Sequence, residues 1–319
     1  MNITAAPKDI EAELGNAPFD EKTCLYCGSA NLRRVYEQLY NKRKPDYGPF
    51  DFYVCEHCGS GLTLPPPTAE ALSALYQHLE HGMSALTRAL LQDNPDAAWH
   101  RMCVDRLVQL SGCGTREEFT WMDIGAGAGE IAAELGRRFP SSTGLAIDIH
   151  ECPPALCSNN SNVIWKCIDI SNDDFSRDIN FEADIVFATG VWEHVRHPDV
   201  FARNAIALMK PRSMLYMTTP NYSSLARRLL GRRWPYFFPG EHLCMPTPRG
   251  ARLCLQREVS ITRGPEVRVQ ILTRPILISY SLRYVFTKFG MPSLARLMPR
   301  SASCRLPSGA MESILWLNK

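Results

Sequence analysis

The chain has 319 residues, of which 45% are hydrophobic, and its formal net charge is +2. This length and composition predict a folded protein with room for a large and a small domain, and the near-neutral charge argues against a nucleic-acid partner. No apolar run approaches the roughly 20 residues of a membrane span, and the acidic N-terminus has no apolar core of the kind that a signal peptide needs.

Four of the twelve cysteines form two Cys-x-x-Cys-Gly pairs, at Cys24, Cys27, Cys55 and Cys58. The glycine of such a pair relieves the tight turn in which backbone N–H groups point at sulfur. Two pairs supply four thiolates, which suit a closed, structural Zn²⁺ site. Because no export signal is present, we expect the other cysteines to be reduced thiols in a cytoplasmic protein.

The first part of the chain divides into a leader at residues 1–22 and a zinc-binding module at residues 23–67. The module contains two β-like stretches, at residues 32–40 and 50–54, and a run of three prolines closes it. Helical patterns then predict a helical linker over residues 68–115.

Residues 116–319 form the predicted main domain, in which apolar strands first alternate with amphipathic helices. Repeated βα units predict a parallel sheet covered by helices on both faces. The predicted strands are residues 119–124, 143–147, 163–167, 184–188 and 213–218, with helices at residues 129–139 and 198–209. Near the C-terminus we expect strands at residues 258–262 and 313–317, with helical segments at residues 280–289 and 294–298.

A glycine-rich turn with Gly125, Gly127 and Gly129 follows the first of these strands. Glycine permits positive φ and lets the backbone pass close to a ligand. Glu130 stands where a dinucleotide fingerprint has its third glycine, and no GK[ST] follows, so we expect neither a nicotinamide site nor a P-loop. Asp123, in the preceding strand, would repel a pyrophosphate but suits a ligand with an ammonium group.

Asp148 and Asp169 end the next two predicted strands. The carboxylate of Asp148 can accept hydrogen bonds from both hydroxyls of a ribose, and Asp169 with the backbone of Ile170 can read an adenine edge. Together with Asp123 these acids face the carboxyl edge of the sheet, where open α/β sheets bind ligands. The alternative is that Asp148 and Asp169 merely cap helices.

Residues 116–319 resemble a class I S-adenosylmethionine-dependent methyltransferase, on the Asp-x-Gly-x-Gly-x-Gly turn, the acid at Asp148 and the later segment at residues 192–195. The cysteine pairs make the chain similar to the branch with ubiquinone-type O-methyltransferases and zinc-containing sugar C-methyltransferases. The resemblance implies an α/β fold with a Rossmann-like, doubly wound, mostly parallel seven-stranded sheet and a small N-terminal zinc-ribbon-like domain. The chain departs from the family at Arg212 and Ser213, where a Gly-Gly turn is usual.

The resemblance also implies S-adenosyl-L-methionine as the cofactor, zinc as a structural ion, and a set of binding residues. The implied cofactor-binding residues are Asp123, Gly125, Ala126, Gly127, Gly129, Asp148, Ile149, Asp169, Ile170 and Thr189. The predicted substrate contacts are Trp192, Glu193, Tyr222 and Tyr236, with packing as the alternative role for the two tyrosines. The acceptor is expected to be a small molecule or a nucleotide- or lipid-linked sugar, with no nucleic acid and no transmembrane segment.

Methyl transfer from a sulfonium needs a positioned acceptor and a group that takes its proton. His194 follows the fourth strand, and His242 lies in an aromatic loop at residues 234–242, so we predict His242, His194 and Glu241 as the catalytic residues. In the resembling family a histidine matching His242 recurs near the acceptor. The alternative for each histidine is a purely structural position.

A basic segment with four arginines, at residues 227–233, flanks leucines and Trp234. Such a segment suits an anionic membrane, as a peripheral contact, or a phosphorylated acceptor, and the alternative is a solvated helix face. Residues beyond about 265 are expected to form a lid or a dimer contact. The competing function is a zinc-dependent nucleic-acid or protein binding module on a degenerate methyltransferase scaffold.

Overall fold

The computed structural model describes residues 23–41, 47–72, 74–75, 97–116, 118–158, 160–171, 174–264, 267–288 and 290–318. The predicted leader at residues 1–22 and part of the predicted linker, at residue 73 and residues 76–96, lie outside the described residues. In the part of the chain that is described, no helix has the length and apolar character needed to cross a bilayer.

A small antiparallel sheet follows the first cysteine pair and joins distant parts of the chain. Its strands are β1 (Leu32–Leu39), β2 (Phe50–Cys55), β3 (Gly61–Leu64) and β9 (Cys244–Met245), in the order β1-β2-β3-β9. The fourth strand comes from the C-terminal half of the chain, so the predicted zinc-binding module and the predicted main domain share one sheet.

The large sheet has seven strands in the order β10-β11-β8-β7-β4-β5-β6. Neighbouring strands from β8 to β6 are parallel, whereas β11 is antiparallel to both β8 and β10. The bounds are β4 Thr120–Ile124, β5 Thr143–Asp148, β6 Val163–Cys167, β7 Ala183–Thr189, β8 Met209–Pro220, β10 Arg268–Ser281 and β11 Ser303–Asn318. This arrangement confirms the expected Rossmann-like, mostly parallel sheet.

Helices connect and cover these strands. They are α1 Ala97–Ser111, α2 Glu130–Arg138, α3 Ala155–Ser158, α4 Pro198–Ala207, α5 Leu225–Leu230, α6 Pro248–Arg263, α7 Leu282–Lys288 and α8 Pro292–Leu297. In α2, Ile131 and Leu135 are buried at an i, i+4 spacing, while Glu130 in the first turn and Arg138 in the last turn complement the helix dipole.

The expected strand at residues 258–262 is wrong, because these residues form the last turns of α6. Val259 and Ile261 alternate with polar residues, which favours a strand, yet Leu255 and Val259 are both buried at helical spacing and Ile261 is exposed. The hydroxyl of Thr247 caps the helix by accepting a hydrogen bond from the N–H of Gly250, at 3.1 Å. The long strand β10 had no counterpart in the sequence-based expectation.

The core continues across both faces of the large sheet. Along β4, Trp121 and Met122 are fully buried on opposite faces, as expected for a parallel strand covered on both sides. A Cβ atom on Gly144 would come within 2.0 Å of the Trp121 ring, so the neighbouring strand needs glycine there. Tyr26 of the zinc-binding module belongs to the same buried cluster as Trp192.

Candidate active site

The glycine-rich turn lies between β4 and α2, at the carboxyl edge of the large sheet. Gly125, Gly127 and Gly129 have φ values of 72°, 55° and 73°, a region that other residues rarely adopt. A Cβ atom on Gly125 would also lie 2.7 Å from a methyl carbon of Val191. The turn therefore depends on glycine for its backbone conformation and for its close packing.

Asp148 lies at the end of β5, beside this turn. The N–H of Gly127 donates a hydrogen bond to the Asp148 carboxylate at 2.7 Å, and the N–H of Ala126 donates to the carbonyl of Ile147 at 3.0 Å. The second oxygen of the carboxylate contacts Nδ1 of His150. Asp148 thus holds the glycine turn and caps no helix in the part of the chain that is described.

His150 is a site residue that sequence reasoning missed. It follows Asp148 by two residues, and its own carbonyl accepts a hydrogen bond from the indole N–H of Trp165 at 3.0 Å. The Asp-x-His spacing at the end of a strand was the available signal, since residues i and i+2 of an extended chain point the same way.

Asp123 is the most deeply buried acid near the turn. Burial raises the pKa of its carboxyl group well above the usual range, and the nearby Asp148 and Glu130 add to this effect. A buried carboxylate of this kind gains most from a cationic neighbour. Asp123 is therefore suited to a ligand with a positively charged group.

The predicted adenine-binding residues divide into two groups. The side chain of Ile170 is partly buried and lies 3.5 Å from where a Cβ atom on Gly125 would be, so it borders the turn. Asp169 is exposed and accepts a hydrogen bond from the N–H of Ser171 at 2.9 Å, and Ile149 is also exposed. A cavity of about 530 Å³ at this edge is lined by residues 165–169 and Asp178.

The two predicted catalytic histidines lie together. The rings of His194 and His242 are perpendicular, with their centroids 4.6 Å apart. Nδ1 of His194 lies 3.1 Å from the carbonyl oxygen of Glu241, and Nδ1 of His242 lies 2.6 Å from that of Tyr236. Because a carbonyl only accepts, each Nδ1 carries a proton, which leaves Nε2 as the basic nitrogen of the neutral ring.

Glu193 completes this group, which we call the Glu-His-His cluster (Glu193, His194 and His242). Its carboxylate is buried, which raises its pKa to about 7, and one oxygen lies 4.0 Å from Nε2 of His194. One side-chain atom from each of the three residues lies within 4.8 Å of the others. The group can exchange protons, and its spacing would also admit a metal ion.

The predicted substrate contacts differ in their surroundings. Trp192 is fully buried in the core, where its indole N–H donates to the carbonyl of Pro198 at 2.7 Å and its ring packs against Tyr26. Tyr222 is also buried, which raises its pKa to about 12, and its hydroxyl contacts Arg227. Among the predicted substrate contacts, Glu193 alone therefore contributes its side chain to the Glu-His-His cluster.

Two predicted residues lie at the margin of the site. Thr189 ends β7, where it pairs with Thr218 of β8, and it is partly buried. Tyr236 is partly buried in the aromatic loop, where its ring packs against Trp234 and its carbonyl holds His242.

The four paired cysteines meet in one cluster. Sγ of Cys24 lies 3.6 Å from Sγ of Cys58, and the same distance separates Cys27 from Cys55. Zn–S bonds of about 2.3 Å in a tetrahedron place sulfurs about 3.8 Å apart, so the cluster fits a Zn²⁺ ion. Gly28 and Gly59, after each pair, have φ values of 74° and 77°, as expected for the predicted turns.

The cysteine module also positions the loop that carries His242. Strands β3 and β9 pair at Leu62 and Cys244, and the N–H of Thr63 donates to the carbonyl of Leu243 at 2.7 Å. The hydroxyl of Thr247 donates to the carbonyl of Cys58 at 2.6 Å. The cysteine cluster and the Glu-His-His cluster are therefore linked through one short strand.

The family model described as a methyltransferase domain matches residues 76–258. Among solved structures, the chain is similar to the plantazolicin methyltransferase BpumL in complex with a monoazolic desmethylPZN analog and SAH (TM-score 0.48, 13% identity, 70% of this chain and 86% of that chain). It is also similar to an O-methyltransferase family protein from Burkholderia thailandensis (TM-score 0.42, 16% identity, 70% of this chain and 57% of that chain). No curated protein sequence matches the chain.

Proposed function

Because the chain belongs to the methyltransferase domain family, whose model matches residues 76–258 of its 319, we propose that it is an S-adenosylmethionine-dependent methyltransferase. The acceptor in this proposal is a small molecule or a nucleotide- or lipid-linked sugar. The observation that carries the proposal is the Asp148 carboxylate, which the N–H of Gly127 holds at the end of β5. That position suits a ribose at the carboxyl edge of an open α/β sheet.

We assign the cofactor-binding roles by chemistry. Asp148 accepts hydrogen bonds from the ribose hydroxyls, and the apolar side chain of Ile170 borders the adenine. The glycine turn approaches the methionine part, where Asp123 pairs with the ammonium group. The raised pKa of the buried Asp123 carboxyl supports this role, because an adjacent cation offsets the cost of burying its charge.

S-adenosylmethionine supplies a methyl group already activated on a sulfonium, so the protein needs to position the acceptor and receive its proton. We assign proton acceptance to Nε2 of His242, because the Tyr236 carbonyl holds the other ring nitrogen as a donor. Glu193 and His194 stand beside that ring, and a carboxylate there stabilises the imidazolium that forms.

We assign a structural role to zinc at Cys24, Cys27, Cys55 and Cys58. Four thiolates close the coordination sphere and leave no open position for chemistry. Together with the methyltransferase turn, this module supports placing the chain near the ubiquinone-type O-methyltransferases and zinc-containing sugar C-methyltransferases.

The test is a calorimetric titration of the protein with S-adenosylhomocysteine. We expect wild type to bind with about micromolar affinity and Asp148→Ala to bind at least about ten-fold more weakly, which corresponds to about 1.4 kcal/mol. Asp174→Ala is the matched control, since this exposed acid forms an ion pair with Arg177 and is remote from the glycine turn in sequence. Absence of binding to wild type would overturn the proposal and favour the zinc-dependent binding function.

A further inference from the structure

Helix α5 places an apolar patch on the protein surface immediately after the carboxyl end of β8. Leu225 and Leu229 are 69% and 75% exposed and lie on one face of the helix at an i, i+4 spacing, and Leu230 beside them is also exposed. No residue of α5 is buried. Three adjacent exposed leucines form a patch, which soluble surfaces seldom carry without a partner.

Arginines surround this patch. Arg228, Arg232 and Arg233 are exposed, whereas the guanidinium of Arg227 lies 4.1 Å from the Tyr222 ring centroid and is turned toward the protein. Residues 222–240 contain four arginines and no aspartate or glutamate. The segment that carries the leucines is therefore basic.

A two-stranded ribbon projects from the same edge of the large sheet. The last residue of β8, Pro220, pairs with Ala310 of β11, and the pairing of β10 with β11 continues beyond it to Ser281 and Ser303. The register shifts between Pro275 and Leu277, and at about 3.3 Å per residue the regular ladder from Leu277 to Ser281 then extends about 13 Å further from β8. Helices α7 and α8 lie at the tip of this ribbon.

The ribbon repeats the composition of α5. Residues 267–311 contain seven lysines and arginines and no acid. Leu297 on α8 is 74% exposed. Other exposed apolar side chains on the ribbon are Leu277, Met291, Leu294 and Leu306, and exposed arginines are Arg296, Arg300 and Arg305.

These short helices expose leucines among arginines and contain no acids, a composition that suits the headgroup layer of an anionic bilayer. The leucines would enter the acyl boundary, and the arginines would contact lipid phosphates. We propose that α5 and the ribbon tip together form a membrane-binding surface for anionic lipids. A second copy of the chain suits this surface less well, because pairing would bring arginines against arginines.

The proposed surface adjoins the loop of the Glu-His-His cluster. Residues 231–233 connect α5 directly to Trp234 and Tyr236, and the Tyr236 carbonyl holds His242. If the proposed methyltransferase function holds, a bilayer at α5 brings lipid-anchored acceptors to the mouth of the site. The membrane binding itself stands independently of that function.

The experiment is sedimentation of the full chain with vesicles of phosphatidylcholine, with and without about 30% phosphatidylglycerol, at low and high salt. We expect binding to the anionic vesicles only, weakened by salt. Leu225→Ser with Leu229→Ser, and separately Leu294→Ser with Leu297→Ser, are each expected to weaken binding at least about five-fold. Ile261→Ser is the matched control, because Ile261 is 60% exposed on α6, outside this surface.

Unchanged binding in both leucine pairs, equal binding to neutral vesicles, or no binding by wild type would each overturn the proposal. Light scattering of the free protein provides a further check, since self-association that the leucine substitutions abolish would assign the surface to a second copy. Calorimetry with S-adenosylhomocysteine on the same variants separates the two proposals, because we expect cofactor affinity to be unchanged whether or not vesicles bind.

Discussion

Two acids on neighbouring strands of the large sheet have different environments. Asp148 ends β5, where its carboxylate meets the N–H of Gly127 and the imidazole of His150. Asp123 lies on β4. Burial is the main reason why the pKa of its carboxyl group is raised well above the usual range. These different environments support the two roles proposed above, hydrogen-bond acceptor for Asp148 and cation partner for Asp123.

Binding of S-adenosylhomocysteine is expected to release a proton from Asp123. Because the pKa of Asp123 is raised in the folded protein, the folded state loses stability as the pH rises above the usual carboxyl range and the buried group ionises. A bound ammonium group offsets this cost by pairing with the carboxylate. The ligand therefore selects the ionised carboxylate, and affinity rises with pH until Asp123 is deprotonated in the free protein. Titration calorimetry in buffers with different ionisation enthalpies measures the proton count directly.

Asp123→Asn provides the control for this prediction, because an amide cannot release a proton and is close to the same size. We expect the variant to bind more weakly and with no dependence of the measured heat on the buffer. The same buffer dependence in wild type and Asp123→Asn would assign the proton to another group.

His242→Ala is expected to lower turnover by about 10²–10⁴-fold, which is the usual contribution of a general base. The affinity for S-adenosylhomocysteine is expected to stay within about two-fold, because the acids proposed to bind the cofactor lie on β4 and β5 and not on the loop of His242. Release of S-adenosylhomocysteine with the acceptor present gives the rate, and Ile261→Ala, exposed on α6 outside the cysteine module and the aromatic loop, is the control. Undiminished turnover would remove His242 from the mechanism.

At the scale of elements, the sequence predicts the strands and turns whose conformation depends mainly on their own residues. The strand at Val163–Cys167 has the predicted bounds, and the glycine turn has the predicted positive φ angles. The cysteine cluster was also predictable, because the turn within each Cys-x-x-Cys-Gly pair is a local feature of the sequence. The proximity of the two histidines, by contrast, depends on a loop about fifty residues away from His194.

Non-local pairings account for what the sequence did not predict. Strand β9 has only two residues, Cys244 and Met245, and it exists because Leu62 and Gly61 of β3 pair with it. Trp192 looked like a substrate contact, yet Tyr26 from the cysteine module covers it. Neither pattern can be read from a window of ten residues, because tertiary contacts override local preference there.

At the scale of the whole molecule, the cysteine module is joined to the main domain by more than a linker. Tyr26, Leu62 and Cys244 belong to one buried cluster with strands of the large sheet. The guanidinium of Arg257 on α6 donates to the carbonyl of Leu25 at 3.0 Å, and the side chain of Asn41 donates to the carbonyl of Pro239 at 2.9 Å. A change in the module therefore reaches the loop of His242 through packing and hydrogen bonds.

The proposed zinc ion is accordingly expected to stabilise the whole molecule. We expect one zinc per chain by elemental analysis, and a second equivalent would assign a metal to the Glu-His-His cluster. Removal of zinc by a chelator, or Cys55→Ser, is expected to lower Tm by more than about 10 °C in one calorimetric transition, since structural zinc contributes about 10 kcal/mol or more to folding. Cys304→Ser, outside the cluster, is the control. Two separate transitions, with the later one unmoved by chelation, would show instead that the module folds on its own and that the shared strand β9 transmits little stability.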